Sequence, residues 1–389
     1  MTLDGLNIIV VGAGIGGLAV ALALRQRGAD VTLLEQSERI AEVGAGLQIS
    51  PNGGAVLRAL GLGEAIPRLG LRARAVCLRD YRHGKQVFRL NLDTAEEAPG
   101  YWFFHRADLI GLLASAARAA GVRVRLLQKV ARLFPGSRPG LETASGAGLE
   151  ADLVIGADGI HSVVRPALNG VAAPFFTRQA AWRAVVPNLT GHPPHARVHM
   201  GPGRHVVSYP LRGGRLVNLV AVREQAEWVE ESWSHRDDPD VLRAAFADFC
   251  PEVHSLFGGL EEVGYWGLFR HPVARIWQRD GVALLGDAAH PTLPFLAQGA
   301  NMALEDAWVL GRELAAARHK GEGLARYQMA REARVRRVVS TADGNAWKYH
   351  LGFPPLRLAA HLGMRLAGTV MPGRMQRQFD WLYLHDVTA

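Results

Sequence analysis

Apolar and polar positions change texture three times along the chain. Asn7 to Val11 is a β-branched run, Gly12 to Gly17 a glycine turn, and Leu18 to Arg27 apolar at helical spacing; Val31 to Glu35 is apolar again and ends in an acid. That order predicts strand, turn, helix and strand. Arg106 to Ala120 repeats the helical spacing, VRVRLL after it reads as a strand, and Leu149 to Gly156 is a further strand running into ADGIHSVVR. From about Phe175 to Arg270 the period shortens to two: ARVHM, HVVSYPL and RLVNLVAV alternate between Gly and Pro breaks, the pattern of antiparallel strands. From Ala300 onward the spacing is helical, with a basic stretch from Arg331 to Arg337 and with Pro354, Pro355 and Pro372 interrupting it.

A second strand-to-helix passage is GVALLGDAAHPTLPFLAQGAN, residues 281–301, where an apolar run meets Gly286-Asp287 and reaches a helix through Pro291, Pro294 and Gly299. The chain of 389 residues exceeds what one core usually serves, so two lobes sharing an interface are expected. Hydrophobic residues at 49% and charged residues at 21% exclude a mainly disordered chain. The net charge of +8 favours anionic ligands. Nucleic acid is the rival explanation of that charge, but the arginines are scattered and no nucleic-acid motif is present, so no such partner is expected. Cys77 and Cys250 are too few for a disulfide framework or a cysteine-rich metal site, which agrees with a reducing cytoplasm, and no metal is expected. Asp4 stands where an export signal would be basic, and no uninterrupted apolar stretch reaches the roughly 18 residues that span a bilayer. A cytoplasmic protein without stable membrane insertion is the expectation.

Gly12, Gly14 and Gly17 satisfy GxGxxG after a strand and at the opening of a helix. The first glycine permits the tight turn, the second lets a pyrophosphate approach the backbone, and the third lets helix pack on strand. Glu35 at the end of the next strand is placed to accept both ribose hydroxyls and would repel a 2'-phosphate, so the adenosine is that of FAD or NAD. In residues 281–301 the prolines stiffen the approach so that the amides of Gln298 to Ala300 and the following helix N-terminus can face a ligand.

GAGIGG with Glu35, DLVIGADGIHSVVR, and LLGDAAHPTLPFLAQGANMALEDA together resemble, in order and spacing, the three motifs of the single-component FAD-dependent aromatic hydroxylases, the group A flavoprotein monooxygenases. AWRAVVP and the late WLYLHD look like the salicylate, hydroxybenzoate and hydroxynicotinate hydroxylase branch. The resemblance implies an α/β fold: a Rossmann-like FAD-binding domain in two parts, residues 1–174 and 271–320, an inserted, mainly antiparallel β-sheet substrate domain over 175–270, and a helical C-terminus over 321–389. It implies that Asp287 and Arg106 contact FAD, that Asp158 and Arg165 serve FAD and the nicotinamide cofactor, that Pro291 and Pro294 lie beside the isoalloxazine with Gly299 and Ala300 following, and that Gln48 sits near the flavin's other face. Without a second GxGxxG, NADH or NADPH binds only transiently as co-substrate, NADH being preferred.

The implied reaction is reduction of FAD by NAD(P)H, capture of O2 at flavin C4a, and transfer of the distal hydroperoxide oxygen to a small, anionic aromatic ring. A phenol is more nucleophilic as its phenolate, and a histidine is suited to removing the proton. His205 and Tyr209 lie four apart in GRHVVSYPL, on one face of a strand, as in the hydroxybenzoate and hydroxynicotinate branch. Gln298 is a further candidate to bond the substrate, Arg183 could pair with a carboxylate or make a structural ion pair, and His290 beside the flavin motif reads as structural. Purines, larger polyketides and quinone precursors are alternative substrates on this framework. A flavin-binding regulatory protein without turnover and an NAD-dependent dehydrogenase are the readings from other classes. The C-terminal helices either cap the pocket or join two copies, so the chain is expected to be a monomer or homodimer.

Overall fold

The first apolar run lies within a six-stranded sheet ordered Gln278–Arg279, Val282–Leu284, Leu153–Gly156, Asn7–Val11, Asp30–Leu34 and Arg123–Arg125. The computed structural model describes residues 2–40, 45–92, 100–229, 235–344, 346–370, 373 and 377–389. Pairing is parallel except in the hairpin of the first two strands. Parallel strands covered on both faces need apolar residues at successive positions, and Ile8, Val10, Leu33, Val154 and Leu284 are fully buried. The helix Ile15–Arg25 is buried from Ile15 through Leu24 because Arg106–Ala119 and Gly299–Ala316 pack against it. It starts at Ile15, inside the glycine turn, with Gly14 as its N-cap.

Two strands differ from the expected pattern. Leu149 to Gly156 divides in two: Gly148–Glu150 closes a small sheet with Gly140–Thr143 and Val130–Phe134, while Leu153–Gly156 enters the parallel sheet. Asp152 marks the break, its carboxylate accepting the Asn7 amide at 3.0 Å. VRVRLL contributes only Arg123–Arg125, since Leu127 turns to φ 57°.

A second sheet of eight strands runs Arg236–Asp237, Val263–Arg270, Phe175–Pro187, Leu216–Glu224, Arg204–Leu211, His195–Gly201, Ala75–Asp80 and Gln86–Asn91. All its pairings are antiparallel except that between Ala75–Asp80 and His195–Gly201. Two of its strands thus come from residues 75–91, well ahead of 175. Alternation sorts its side chains. On one face Trp182, Val206 and Leu219 pack with Leu242, Phe246 and Phe257 of a helical layer. On the other, Ala181 and Val222 meet Leu293 and Phe295 of the residues 281–301 passage, and Tyr209 meets Tyr101 and Phe103. That second face is the one turned to the parallel-sheet lobe.

The helix Lys320–Asp343 lies against Gly299–Ala316. Pro354 and Pro355 occupy the first turn of Pro354–Val370, where no intrahelical amide is needed, and the helix runs beside Gln86–Asn91. Among the described residues no helix is long and apolar enough to cross a membrane.

Candidate active site

Three stretches distant in the chain interlock at the glycine turn. Gly12 has φ +101°, and a Cβ there would lie 2.5 Å from the Ala157 carbonyl of the second motif. On Gly16 it would lie 2.6 Å from Leu285 and 3.2 Å from Ala303, both in the third. At Gly17 it would be 1.9 Å from the Gly12 oxygen, so the helix packs directly on its own turn. Gly14 is different: its φ is −72°, and a Cβ there would meet nothing within 4 Å. A helix N-cap with neither a packing nor a conformational need for glycine has open space where a pyrophosphate approaches the backbone. Beside it, Glu35 accepts the Ala13 amide at 2.8 Å and the Ser37 amide at 2.9 Å, which fixes the carboxylate and leaves lone pairs for ribose hydroxyls. The residues therefore fit FAD. Gly14→Ala should leave the apoprotein within about 0.5 kcal/mol of wild type yet weaken FAD binding about tenfold or more; a flavin fluorescence titration with unchanged affinity would remove Gly14 from the pyrophosphate site.

In the second motif the Asp158 carboxylate accepts from the Ser162 hydroxyl at 2.6 Å and from the Val163 and Val164 amides at 2.7 and 3.2 Å. Burial pushes this carboxyl up, against the pull of those bonds. Arg165 donates to the Ala288 carbonyl at 3.4 Å and to that of Pro272. Both residues, expected to serve the cofactors directly, brace the second motif on itself and on the third.

The third motif rests on a buried polar network that the sequence reading missed. Gly286, at φ +57°, donates its amide to Asp306 at 3.0 Å, and His290 Nε2 meets the same carboxylate at 2.5 Å. Arg331 reaches Asp306 at 2.7 Å and Glu305 at 2.6 Å, while Arg334 forks onto Glu305 at 2.9 and 2.7 Å. Burial alone would raise Asp306, but His290 and Arg331 outweigh it and hold the carboxyl down to about 2. Asn52 extends the network from Glu305, at 2.7 Å, to the Gln298 carbonyl, at 3.2 Å, and the Gln298 amide donates to Ser50 at 3.0 Å. Gln298, expected to bond the substrate, is tied into this framework at both ends of its amide. His290 is structural, as expected. Pro294 opens the single turn Pro294–Leu296, and left-handed Ala297, at φ 53°, swings the chain into the helix at Gly299. Gly299 and Ala300 thus stand in a first turn, where amides have no intrahelical acceptor.

Between the lobes a cationic and aromatic cleft opens. Asp287 is solvent-accessible yet densely walled, as on the side of a deep cleft; burial pushes its carboxyl up while His290, Arg106 and His271 oppose that. Arg106 heads the helix Arg106–Ala119 in the same cleft, and burial together with Arg183 lowers its guanidinium to about 10, with Asp287 and Tyr209 acting the other way. Arg183 lies 5.5 Å over the Trp266 ring. Tyr209 stacks on Phe103 at 5.0 Å, and burial pushes its hydroxyl up to about 12 despite Arg183, Gln48 and Arg106. Gln48 accepts the Tyr101 hydroxyl at 2.7 Å, and Tyr383, from WLYLHD, meets Tyr101 edge-on at 5.7 Å. His205 is buried beside Phe295 and Tyr349, at 5.8 and 5.3 Å between rings. Burial and the adjacent His350 depress it well below the usual histidine range, so it is a neutral base at pH 7. Tyr101, Tyr349 and His350 carried no recognisable signal in sequence; Tyr383 was signalled only through its motif. Among the described residues no group of three or more His, Cys, Asp or Glu could hold a metal ion.

A glycine turn on one lobe and a histidine, tyrosine and arginine on the inner face of the other suit the division of labour of a flavoprotein hydroxylase, in which one side holds the cofactor and the other presents the ring. The sequence matches the family described as FAD binding domain over residues 6–342, and the chain belongs to that family. It is 39% identical over 355 residues to 3-amino-4-hydroxybenzoate 2-monooxygenase of Streptomyces cremeus, covering 89% of this chain and 88% of that one. It is 32% identical over 402 residues to 3-hydroxybenzoate 6-hydroxylase of Klebsiella oxytoca, covering 97% and 96%. Its fold matches that of Klebsiella pneumoniae HpxO complexed with FAD and uric acid, with a TM-score of 0.86, 27% identity and 99% of both chains covered. The protein is a FAD-dependent monooxygenase of the aromatic hydroxylase kind, with NAD(P)H as co-substrate.

Proposed function

We propose that the protein hydroxylates a small monocyclic aromatic carrying both a carboxylate and a phenolic hydroxyl, in the manner of 3-amino-4-hydroxybenzoate or 3-hydroxybenzoate. The observation that carries this reading is that His205 and Tyr209, on one strand, and Arg183, on the strand across Leu216–Glu224 from it, project onto one buried face, toward the Pro294–Leu296 turn and the glycine-turn lobe. FAD, when bound, passes electrons from NAD(P)H to O2 and supplies the activated oxygen. The chain's own residues bind, orient and deprotonate the ring. Arg183 is a buried cation suited to a carboxylate, Tyr209 is held protonated to donate a hydrogen bond, and neutral His205 takes the phenolic proton. The apolar wall of Val220, Val222, Leu293 and Phe295 excludes water from the reacting edge.

Aromatic-stimulated NADH and NADPH oxidation, with product analysis, tests the reading across hydroxybenzoates, 3-amino-4-hydroxybenzoate, hydroxynicotinates and uric acid. Stimulation by the purine alone overturns it. Arg183→Met should cost roughly 10- to 100-fold in kcat/KM, mostly through KM, toward the carboxylated phenol, as for a lost charge-assisted bond. Little further loss is expected toward the ring lacking the carboxylate; an equal loss on both removes Arg183 from carboxylate recognition. We place the protein in the cytoplasm, a reading supported by its free thiols at Cys77 and Cys250, and take it to act as a monomer or homodimer.

A further inference from the structure

We infer that His205 does not keep the substrate's proton but hands it through His350 to Glu224 and so to solvent. The inference rests on the phenolic reading above and adds two residues that the sequence did not single out. His205 is 2% exposed, which leaves it no direct route to water. Its Nδ1 lies 2.7 Å from His350 Nε2, and His350 Nδ1 lies 2.9 Å from the Glu224 Oε1 atom. The His350 side chain is buried, whereas the Glu224 side chain is 56% exposed. Glu224 lines a surface cleft of about 420 Å³ with Thr177, Arg178, Gln179, Gln225 and Ala226. Three groups in series thus lead from the substrate face of the sheet to open water.

The chemistry of the endpoint sets the direction of every bond. A carboxylate only accepts, so His350 Nδ1 carries the hydrogen and its Nε2 is an acceptor. His205 must then donate from Nδ1, which leaves the lone pair of its Nε2 for the phenol. In the transfer the phenol O–H bond breaks as an N–H bond forms at His205 Nε2. The Nδ1 proton of His205 moves to His350 Nε2, the Nδ1 proton of His350 moves to Glu224 Oε1, and the carboxylic acid releases it to water. One proton leaves the ring and one reaches solvent, while both imidazoles end neutral in the opposite tautomer. The same path run backwards returns a proton to the product's oxygen and restores the starting tautomers.

The fold holds this geometry from two elements far apart in sequence. Glu224 ends the strand Leu216–Glu224, with its amide bonded to the Gly203 carbonyl at 2.8 Å. Gly203, in the adjoining turn, in turn donates its amide to the His350 carbonyl at 3.2 Å. The C-terminal segment is therefore pinned to the strand end that presents the carboxylate. Of the charged and titratable groups beside this path, Tyr349 lies ring to ring with His205 at 5.3 Å and Arg178 shares the cleft with Glu224.

Holoenzyme in weak buffer with a pH-indicator dye, mixed with 3-amino-4-hydroxybenzoate or the hydroxylated acid that the screen above selects, reports proton release and the phenolate absorbance band together. Wild type should release about one proton per bound ligand. His350→Asn and Glu224→Gln should slow that release by about tenfold or more with little change in ligand dissociation constant, and Glu224→Asp should restore much of it. Glu224 is at the surface, so its variants report even if the buried change at His350 unfolds the protein. Unchanged release in Glu224→Gln overturns the relay, as does a loss that Glu224→Asp leaves equally deep. If wild type binds the acid without ionising it, the phenolic reading itself falls, and the relay with it.

Discussion

Arg331→Met is expected to destabilise the folded protein by about 3–5 kcal/mol, the cost of leaving buried carboxylates without their cation. Arg331 is 1% exposed and bridges Glu305 and Asp306, both fully buried. Arg334 still covers Glu305 in the variant, but Asp306 keeps only His290 and the Gly286 amide. The effect reaches the cofactor, because Asp306 holds the Gly286 and His290 ends of the loop that carries Asp287. Urea midpoints of the apoprotein and FAD titration should therefore both move in the same variant. A loss under about 1 kcal/mol would show that the carboxylates find other partners. Adding Asp306→Asn should recover part of the loss, since it removes the orphaned charge. The pH dependence has a definite sign. Asp306 is held down to about 2 in the folded state, against about 3.9 unfolded, so its contribution is complete above roughly pH 4 and is lost as pH falls toward 2. In Arg331→Met the depression shrinks and acid unfolding begins at higher pH.

His205→Ala should lower the hydroxylation rate by roughly 10²- to 10⁴-fold near neutral pH, the usual worth of a positioned general base. The deficit should narrow as pH rises, because a phenol of ordinary pKa near 10 ionises unaided at alkaline pH. In wild type the folded histidine is depressed, so the base stays neutral down to pH values below the usual histidine range, and the rate falls only there. Single-turnover hydroxylation measured from pH 6 to 10 separates the outcomes. A deficit that is the same at every pH would mean that His205 orients the ring without taking its proton. FAD content should be unchanged, since no glycine-turn or Asp287 contact is altered.

Much of the glycine-turn lobe was legible before any coordinates. Around Gly12, Gly14, Gly17 and Glu35 the tight turn, the open N-cap and the strand-end acid all follow from local spacing, because they are set within one strand-helix-strand unit. Asp287 and Arg106 were singled out by motif as FAD contacts, and the structure brings them within electrostatic reach of each other. Gln298 was read as a substrate contact because its neighbours in the passage suggest a ligand loop, whereas its framework partners Ser50 and Asn52 are some 250 positions away. Asp158 and Arg165 were read as ligand contacts for the same reason.

The sequence by itself determined the strand-turn-helix units, the glycine turn and the shared strand face of His205 and Tyr209, since hydrophobic period and residue spacing act over a few neighbours. Only the tertiary structure decided which charges are compensated and where a proton can travel. Glu305 and Asp306 meet Arg331 across two packed helices, and His205 meets His350 across 145 residues of chain. Such pairings exist because burial makes an uncompensated polar group costly and so selects partners by proximity in space, a quantity that no local pattern encodes.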